Sequence, residues 1–229
     1  MNRVTVIGLG GIGTHLVEPL CRYLVYEKKE DWSGRVVLVD GDRYEDKNRQ
    51  RQRFSINANK AQVTKELLEP LFPELSIEAK SHYVTQDNVQ MFIREDDVVF
   101  LAVDNHATRK IVNDEVGLRN NLLLISGGND LYDGNVQVYQ RKDNEDVTRP
   151  LIYQHPEIEH PKDKNPGEAG CDVLAAEGNA QLLAVNLTIA SFMLNTFVLY
   201  NMKGQSPYQE LYFDLQTGSA RAVTIKNKG

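Results

Sequence analysis

RVTVIGLGGIG, residues 3–13, decides the fold. Val4, Thr5, Val6 and Ile7 are all β-branched, and such side chains suit a pleated strand. Gly8-Leu9-Gly10-Gly11-Ile12-Gly13 then fits G-x-G-x-x-G. Helical spacing follows over 12–26, with Pro19 expected to kink or loosen that helix. Glycines at these positions let the backbone turn tightly and approach a phosphate, and the helix N-terminus offers aligned N–H donors. A second apolar run, RVVLVD (35–40), ends on Asp40, where an acid can accept from ribose hydroxyls. The plain alternative is a tight turn beside a solvated aspartate. Strand, loop, helix, strand and acid in this order favour a nucleotide.

The same alternation continues outward. Residues 59–71 place Val63, Leu67, Leu68 and Leu71 at helical spacing. LSIEAKSHYV is expected as an edge strand, while DDVVFLAVDN (96–105) and LLLISGG (122–128) read as buried strands. This is an α/β, Rossmann-like pattern: a mostly parallel sheet with helices on both faces. Beyond it, GNVQVYQ (134–140) is a strand with no helix before it. Residues 141–170 are charged and contain four prolines, and are expected to form an exposed, mobile loop. A long apolar helix covers 180–200. YQELYFDL and SARAVTI, joined by Gln216-Thr217-Gly218, are expected to pair as a hairpin, adding antiparallel strands to the C-terminal half.

Composition narrows the class. The chain has 229 residues, 41% hydrophobic and 25% charged, with a net charge of −6. That length can bury a core without staples. The acidic balance argues against nucleic acid as a partner. Cys21 and Cys171 are isolated, so a disulfide framework is not expected and a reducing, cytoplasmic setting is the default. Asn186, Thr188, Ser191, Asn195 and Thr196 interrupt the 180–200 segment. It is therefore read as a buried core or dimer-interface helix and not a membrane span. The whole chain is expected to be one domain: a nucleotide-binding half over about 1–128, a crossover loop over about 141–170, and the helix and hairpin over about 173–229.

The polar run after strand two chooses the nucleotide. Asp42 follows Asp40, and Arg43, Asn48, Arg49, Arg51, Gln52 and Arg53 come next, with Lys60 opening the following helix. A dinucleotide needs little charge beyond its ribose. A triphosphate wants several cationic partners. Such a run can also be a solvated face. Asp104 and Asn105 end the strand VVFLAVDN at the same sheet edge, where ligands of open parallel sheets bind. Asp104 there can hold Mg²⁺ against phosphate oxygens; its alternative is a helix N-cap.

Together these residues resemble the ThiF/HesA/MoeB superfamily, relatives of ubiquitin-activating enzymes. The family pattern of GxGGxG, D-x-D, N-x-x-R-Q, a lysine and an Asp-Asn pair stands here as GLGGIG, Asp40-Gly41-Asp42, Asn48 to Gln52, Lys60 and Asp104-Asn105. The resemblance covers about the first half of the chain. It implies an ATP-dependent adenylyltransferase acting on the C-terminal carboxylate of a ubiquitin-like or sulfur-carrier protein that ends in Gly-Gly. The glycines Gly8, Gly10, Gly11 and Gly13 would cradle ATP and Asp40 would hold the ribose. Asn48, Arg51, Gln52 and Lys60 would hold the phosphates, and Asp104 the Mg²⁺, with Asp42 and Asn105 lining the same site. Arg51, Lys60 and Asp104 would carry the chemistry. The resemblance also implies a homodimer.

Two family features are not matched. Strand one begins at Arg3, leaving no N-terminal helix to lend an arginine to a partner's site; Arg49, Arg53 or another protein would supply that cation. No C-x-x-C pairs are present, so no zinc is expected, and His155, His160 and Cys171 make a poor zinc set. Cys171 lies in the crossover region, where relatives carry a cysteine that takes the activated carrier. Its alternative is a packing residue. Competing readings are a non-catalytic nucleotide-binding partner protein, an NAD(P)-dependent oxidoreductase and a tRNA-modifying relative.

Overall fold

The structure is a computed structural model that describes residues 3–26, 32–50, 52, 54, 56–167 and 183–224. The nucleotide-binding half comprises β1 (Val4–Ile7), α1 (Gly11–Tyr26), β2 (Arg35–Val39), α2 (Lys60–Leu68), β3 (Ser76–Lys80), α3 (Val89–Phe92), β4 (Val98–Leu101), α4 (His106–Gly117) and β5 (Leu122–Asn129). The rest comprises β6 (Asp133–Lys142), β7 (Glu145–Asp146), α5 (Pro156–Glu159), α6 (Leu183–Lys203), β8 (Glu210–Asp214) and β9 (Ser219–Val223).

Among the described residues nine strands join one sheet in the order β3-β2-β1-β4-β5-β6-β8-β9, with β7 beside β6. The first five are mutually parallel. From β6 onward each pairing is antiparallel. The fold is therefore the expected one: parallel in its first half, antiparallel in its second, with β3 at an edge and β8–β9 as the closing hairpin. The chain runs outward from β1 in both directions, to β2 and to β4. That reversal opens a crevice beyond the carboxyl ends of the central strands.

Strand alternation divides the core in two. Val4 and Val6, Val36 and Leu38, Phe100, Leu123 and Ile125 face α1 and α6. Ile7, Val37, Val39, Val99, Leu101, Leu122 and Leu124 face α3, α4 and α5. Both faces of the parallel half are therefore covered, which explains why these strands are uniformly apolar. Helix α1 runs through Pro19 without interruption.

The segment 141–167 is mostly exposed, as expected, but it is docked on the domain. Leu151 and Ile158 are fully buried in the second core, and Pro156 opens the short helix α5, a position where its missing N–H costs nothing. The Asp163 carboxylate accepts from His106 N at 2.7 Å and Ala107 N at 2.9 Å, at the start of α4. Asn165, itself buried, donates to Val84 O at 2.8 Å. The polar majority of the segment conceals the two apolar anchors that dock it.

Helix α6 is long and apolar enough to cross a membrane by length and composition. Here Val185, Ile189, Ala190, Met193 and Phe197 are buried, and the helix packs against α1 and β5. Leu183, Leu187 and Met202 are exposed on its other side.

Candidate nucleotide site

Gly8, Gly13, Asp40, Lys60 and Asp104 all lie at the carboxyl edge around β1, β2 and β4, as expected from the sequence. Two of the glycines answer to the backbone. Gly8 has φ of +91°, and a β-carbon there would stand 2.7 Å from Ala102 O. At Gly13 a β-carbon would stand 2.0 Å from Gly8 O. Only glycine permits this turn and this close seating of α1 against β1. Gly10 differs: the nearest atom to its β-position is Gln52 Nε2, 3.9 Å away. That open face, next to the first amides of α1, is where an anion can approach.

Asp40 is tied into the loop. Its Oδ2 accepts from Leu9 N at 2.6 Å and its Oδ1 from Asp42 N at 2.8 Å. Burial raises its pKa above the ordinary carboxylate value, while Lys60 and the two amide donors pull it down. Each oxygen keeps a lone pair for a further donor such as a ribose hydroxyl. Asp42 receives the Lys60 ammonium on Oδ2. The Lys60 side chain is 8% exposed and Asp42 50%. The cation is thus held at the crevice by a carboxylate that water can solvate if the cation leaves it.

Asn59, which the sequence marks only as a helix start, organises this corner. Its Oδ1 caps α2 through Gln62 N at 3.1 Å, and its Nδ2 donates to Asp40 O at 2.9 Å and Asp42 O at 3.0 Å. Asn48 is buried and accepts from Glu45 N at 2.8 Å. Gln52 is also buried, and its Oε1 has no hydrogen-bond partner.

The arginine run is less uniform than its sequence suggests. Arg49 pairs with Asp46 at 3.2 Å and lies 4.6 Å over the Phe54 ring, which stacks on Tyr44. Arg43 donates to Asn57 O at 3.0 Å. Both make their contacts within the loop itself, and the Arg49 side chain is still 55% exposed. Arg51 and Arg53 lie outside the described residues, as does Cys171. Cys21 is buried, and burial pushes its thiol up to about 12, so it is a packing residue.

Asp104 is exposed just beyond β4. It is not the helix cap: Asn105 Oδ1 accepts from Thr108 N at 2.8 Å and caps α4. This commits one face of the Asn105 amide to the fold and leaves the Asp104 carboxylate to other partners. Beneath it lies Arg109, which sequence reasoning missed. Its guanidinium donates to Ser126 Oγ, Val103 O and Gly127 O, each at 2.7 Å. Burial lowers its pKa to about 10, and the nearby Asp104 and Asp163 pull it back up. It remains charged at neutral pH and clamps the ends of β4 and β5 under Asp104. Five residues past an acid, on a helix, it carries no motif that would flag it.

Among the described residues no group of three or more His, Cys, Asp or Glu side chains could hold a metal ion by itself. Mg²⁺ in nucleotide sites usually takes one or two carboxylates and completes its shell with phosphate oxygens and water. The exposed Asp104 carboxylate fits that need.

A glycine loop seated on a parallel sheet, an acid after β2 and a lysine at the crevice define a nucleotide-binding α/β domain of the kind the resemblance implied. The chain belongs to the ThiF family, which it matches over residues 1–213. It is 34% identical over 140 residues to a sulfur carrier protein adenylyltransferase of Thermus thermophilus, covering 59% of this chain and 48% of that protein. It is 32% identical over 117 residues to a SAMP-activating enzyme E1 of Haloferax volcanii, covering 49% of this chain and 40% of that protein. The matched stretches thus span less than half of these curated relatives. The crystal structure of Escherichia coli MccB with ATP superposes with a TM-score of 0.74 at 18% identity, over 97% of this chain and 63% of that one. At that identity the likeness concerns the fold.

Proposed function

We propose that this chain binds ATP with Mg²⁺ and adenylates the C-terminal carboxylate of a ubiquitin-like or sulfur-carrier protein. The observation that carries the reading is Lys60: a nearly buried ammonium at the crevice, held beside the Asp40 corner by an exchangeable carboxylate. The names of the Thermus and Haloferax relatives support the same reaction class.

In this reading Asp40 orients the ribose and the amides at the start of α1 receive phosphate oxygens. Lys60 leaves Asp42 for the phosphates. Asp104 would hold Mg²⁺, which when bound offsets phosphate charge. The carrier carboxylate is already ionised, so no general base is needed. One of its oxygens bonds to the α-phosphorus while the bond from that phosphorus to the bridging oxygen of the β-phosphate breaks. Pyrophosphate leaves with the electron pair. Negative charge accumulates during this exchange, and fixed donors and cations stabilise it.

Titration calorimetry with Mg²⁺ tests the ligand. Binding of ATP, and no binding of NAD at the same concentration, is the expected result. Binding of NAD alone would refute the reading.

A second step is proposed for Cys171. Its thiolate would attack the acyl carbonyl of the adenylate, release AMP and leave a thioester. The support is its place in sequence between the docked crossover segment and α6. A thiol-sensitive carrier adduct should form with the wild type and be lost in Cys171→Ala. An adduct that persists in the variant would remove the residue from the mechanism.

A further inference from the structure

Behind the glycine loop, on the side away from Asp40, stand two side-chain amides. Asn129 ends β5, and Asn186 lies in the first turn of α6. Asn129 Nδ2 donates to Asn186 Oδ1 at 3.0 Å. That bond fixes the orientation of the Asn186 amide and points its other end, Nδ2, at the loop. A β-carbon on Gly11 would stand only 2.2 Å from Asn186 Nδ2. Gly11 is therefore glycine because this amide occupies the space beside it. Asn186 is fully buried, yet Nδ2 has no hydrogen-bond acceptor. An orphaned buried donor costs about 1–3 kcal/mol. Such a cost, set against the N-terminus of a 16-residue helix, points to an acceptor that arrives with a ligand.

The sheet order says which part of the ligand this is. Asp40 follows β2, whereas Asn129 ends β5, and β1 and β4 lie between them. Lys60, Asn48 and Gln52 belong to the loop and helix that follow β2. They stand on the Asp40 side, where they suit the departing phosphates. Displacement at phosphorus puts the attacking and leaving oxygens roughly in line on opposite sides. With the cation on one side of the loop, the incoming group approaches from the other, where β5 and α6 meet. A neutral amide donor there suits a carboxyl oxygen, which must be oriented without being held so tightly that its nucleophilicity is lost.

Resting on the adenylation reading, we infer that Asn186, oriented by Asn129, forms the acyl subsite. Its Nδ2 donates to the oxygen of the carboxyl group that joins the α-phosphorus. The ligand class is an acyl adenylate of a C-terminal glycine. Gly11 leaves the room that this amide occupies beside the loop.

The test compares AMP with glycyl sulfamoyl adenosine, a stable mimic of the acyl adenylate, by calorimetry on the full chain. The wild type should bind the mimic more tightly than AMP. Asn186→Ala should lose about tenfold in affinity for the mimic, a change of about 1.4 kcal/mol, and less than about twofold for AMP. Asn186→Asp keeps an acceptor for Asn129 but replaces the donor, so it should lose more on the mimic than the alanine variant. Thermal melting establishes that each variant is folded. Equal losses on both ligands would make Asn186 a phosphate or scaffold residue, and no loss on either would make it a packing residue; both overturn the inference. So would unfolding of both variants. A wild type that binds neither compound would instead sink the adenylation reading, and the subsite with it.

Discussion

Lys60→Ala is expected to cut ATP–pyrophosphate exchange about 100- to 1,000-fold, the scale seen when one preorganised transition-state donor is removed. This corresponds to about 3–4 kcal/mol in the barrier. The fold should survive. Lys60 is the first residue of α2, and alanine is a good helix former there. Its partner Asp42 is half exposed, so water solvates the carboxylate once the ammonium is gone. Exchange rates and a urea unfolding curve for the same preparation separate the two effects. A variant that folds normally and keeps wild-type exchange would move the phosphates away from this corner.

The second large effect is on stability. Arg3→Met is expected to cost about 3–5 kcal/mol at neutral pH, as breaking a buried ion pair usually does. Arg3 Nε contacts Asp97 Oδ2 at 2.7 Å, and Asp97 has no exposed side-chain surface. Arg3 Nη2 also donates to Phe92 O at 2.8 Å. The pair fastens the start of β1 to the start of β4, at the end of the sheet opposite the glycine loop. Burial already raises the Asp97 pKa, against the pull of Arg3 and the Arg94 amide. Removing Arg3 raises it further. An acid whose folded pKa lies above its unfolded value costs stability at pH above both, and that cost shrinks as pH falls through the folded pKa. The gap between variant and wild type should therefore narrow as the pH falls below neutral. Urea unfolding at several pH values measures this. A gap below about 1 kcal/mol at pH 7, the range of a solvated pair, would contradict it.

Local chemistry made much of the fold legible in sequence. A β-branched strand followed by a glycine turn and an apolar helix has few ways to fold. Asp40 and Lys60 were visible because they sit at fixed offsets from those elements. The amides were not. Asn129 and Asn186 are 57 residues apart and meet only because α6 packs on β5 and α1. Arg109 was hidden for a similar reason: its three acceptors lie on two strand ends, and no spacing along the chain encodes them. The docking of the crossover segment was hidden because its charge and prolines outweigh Leu151 and Ile158 in any local window. Burial of those two is a tertiary choice that overrides local composition. The cap of α4 was read as the alternative role of Asp104, and it falls one residue later, on Asn105, whose backbone is extended and whose Oδ1 accepts from Thr108 N.

The most direct measurement is ATP–pyrophosphate exchange by the wild-type chain with Mg²⁺ and a carrier protein ending in Gly-Gly. Adenylation predicts that labelled pyrophosphate enters ATP when that carrier is present, and stops when the carrier's C-terminal carboxylate is converted to an amide. Exchange unaffected by the amide cap, or ATP binding without exchange across Gly-Gly carriers, would contradict adenylation of a carrier carboxylate.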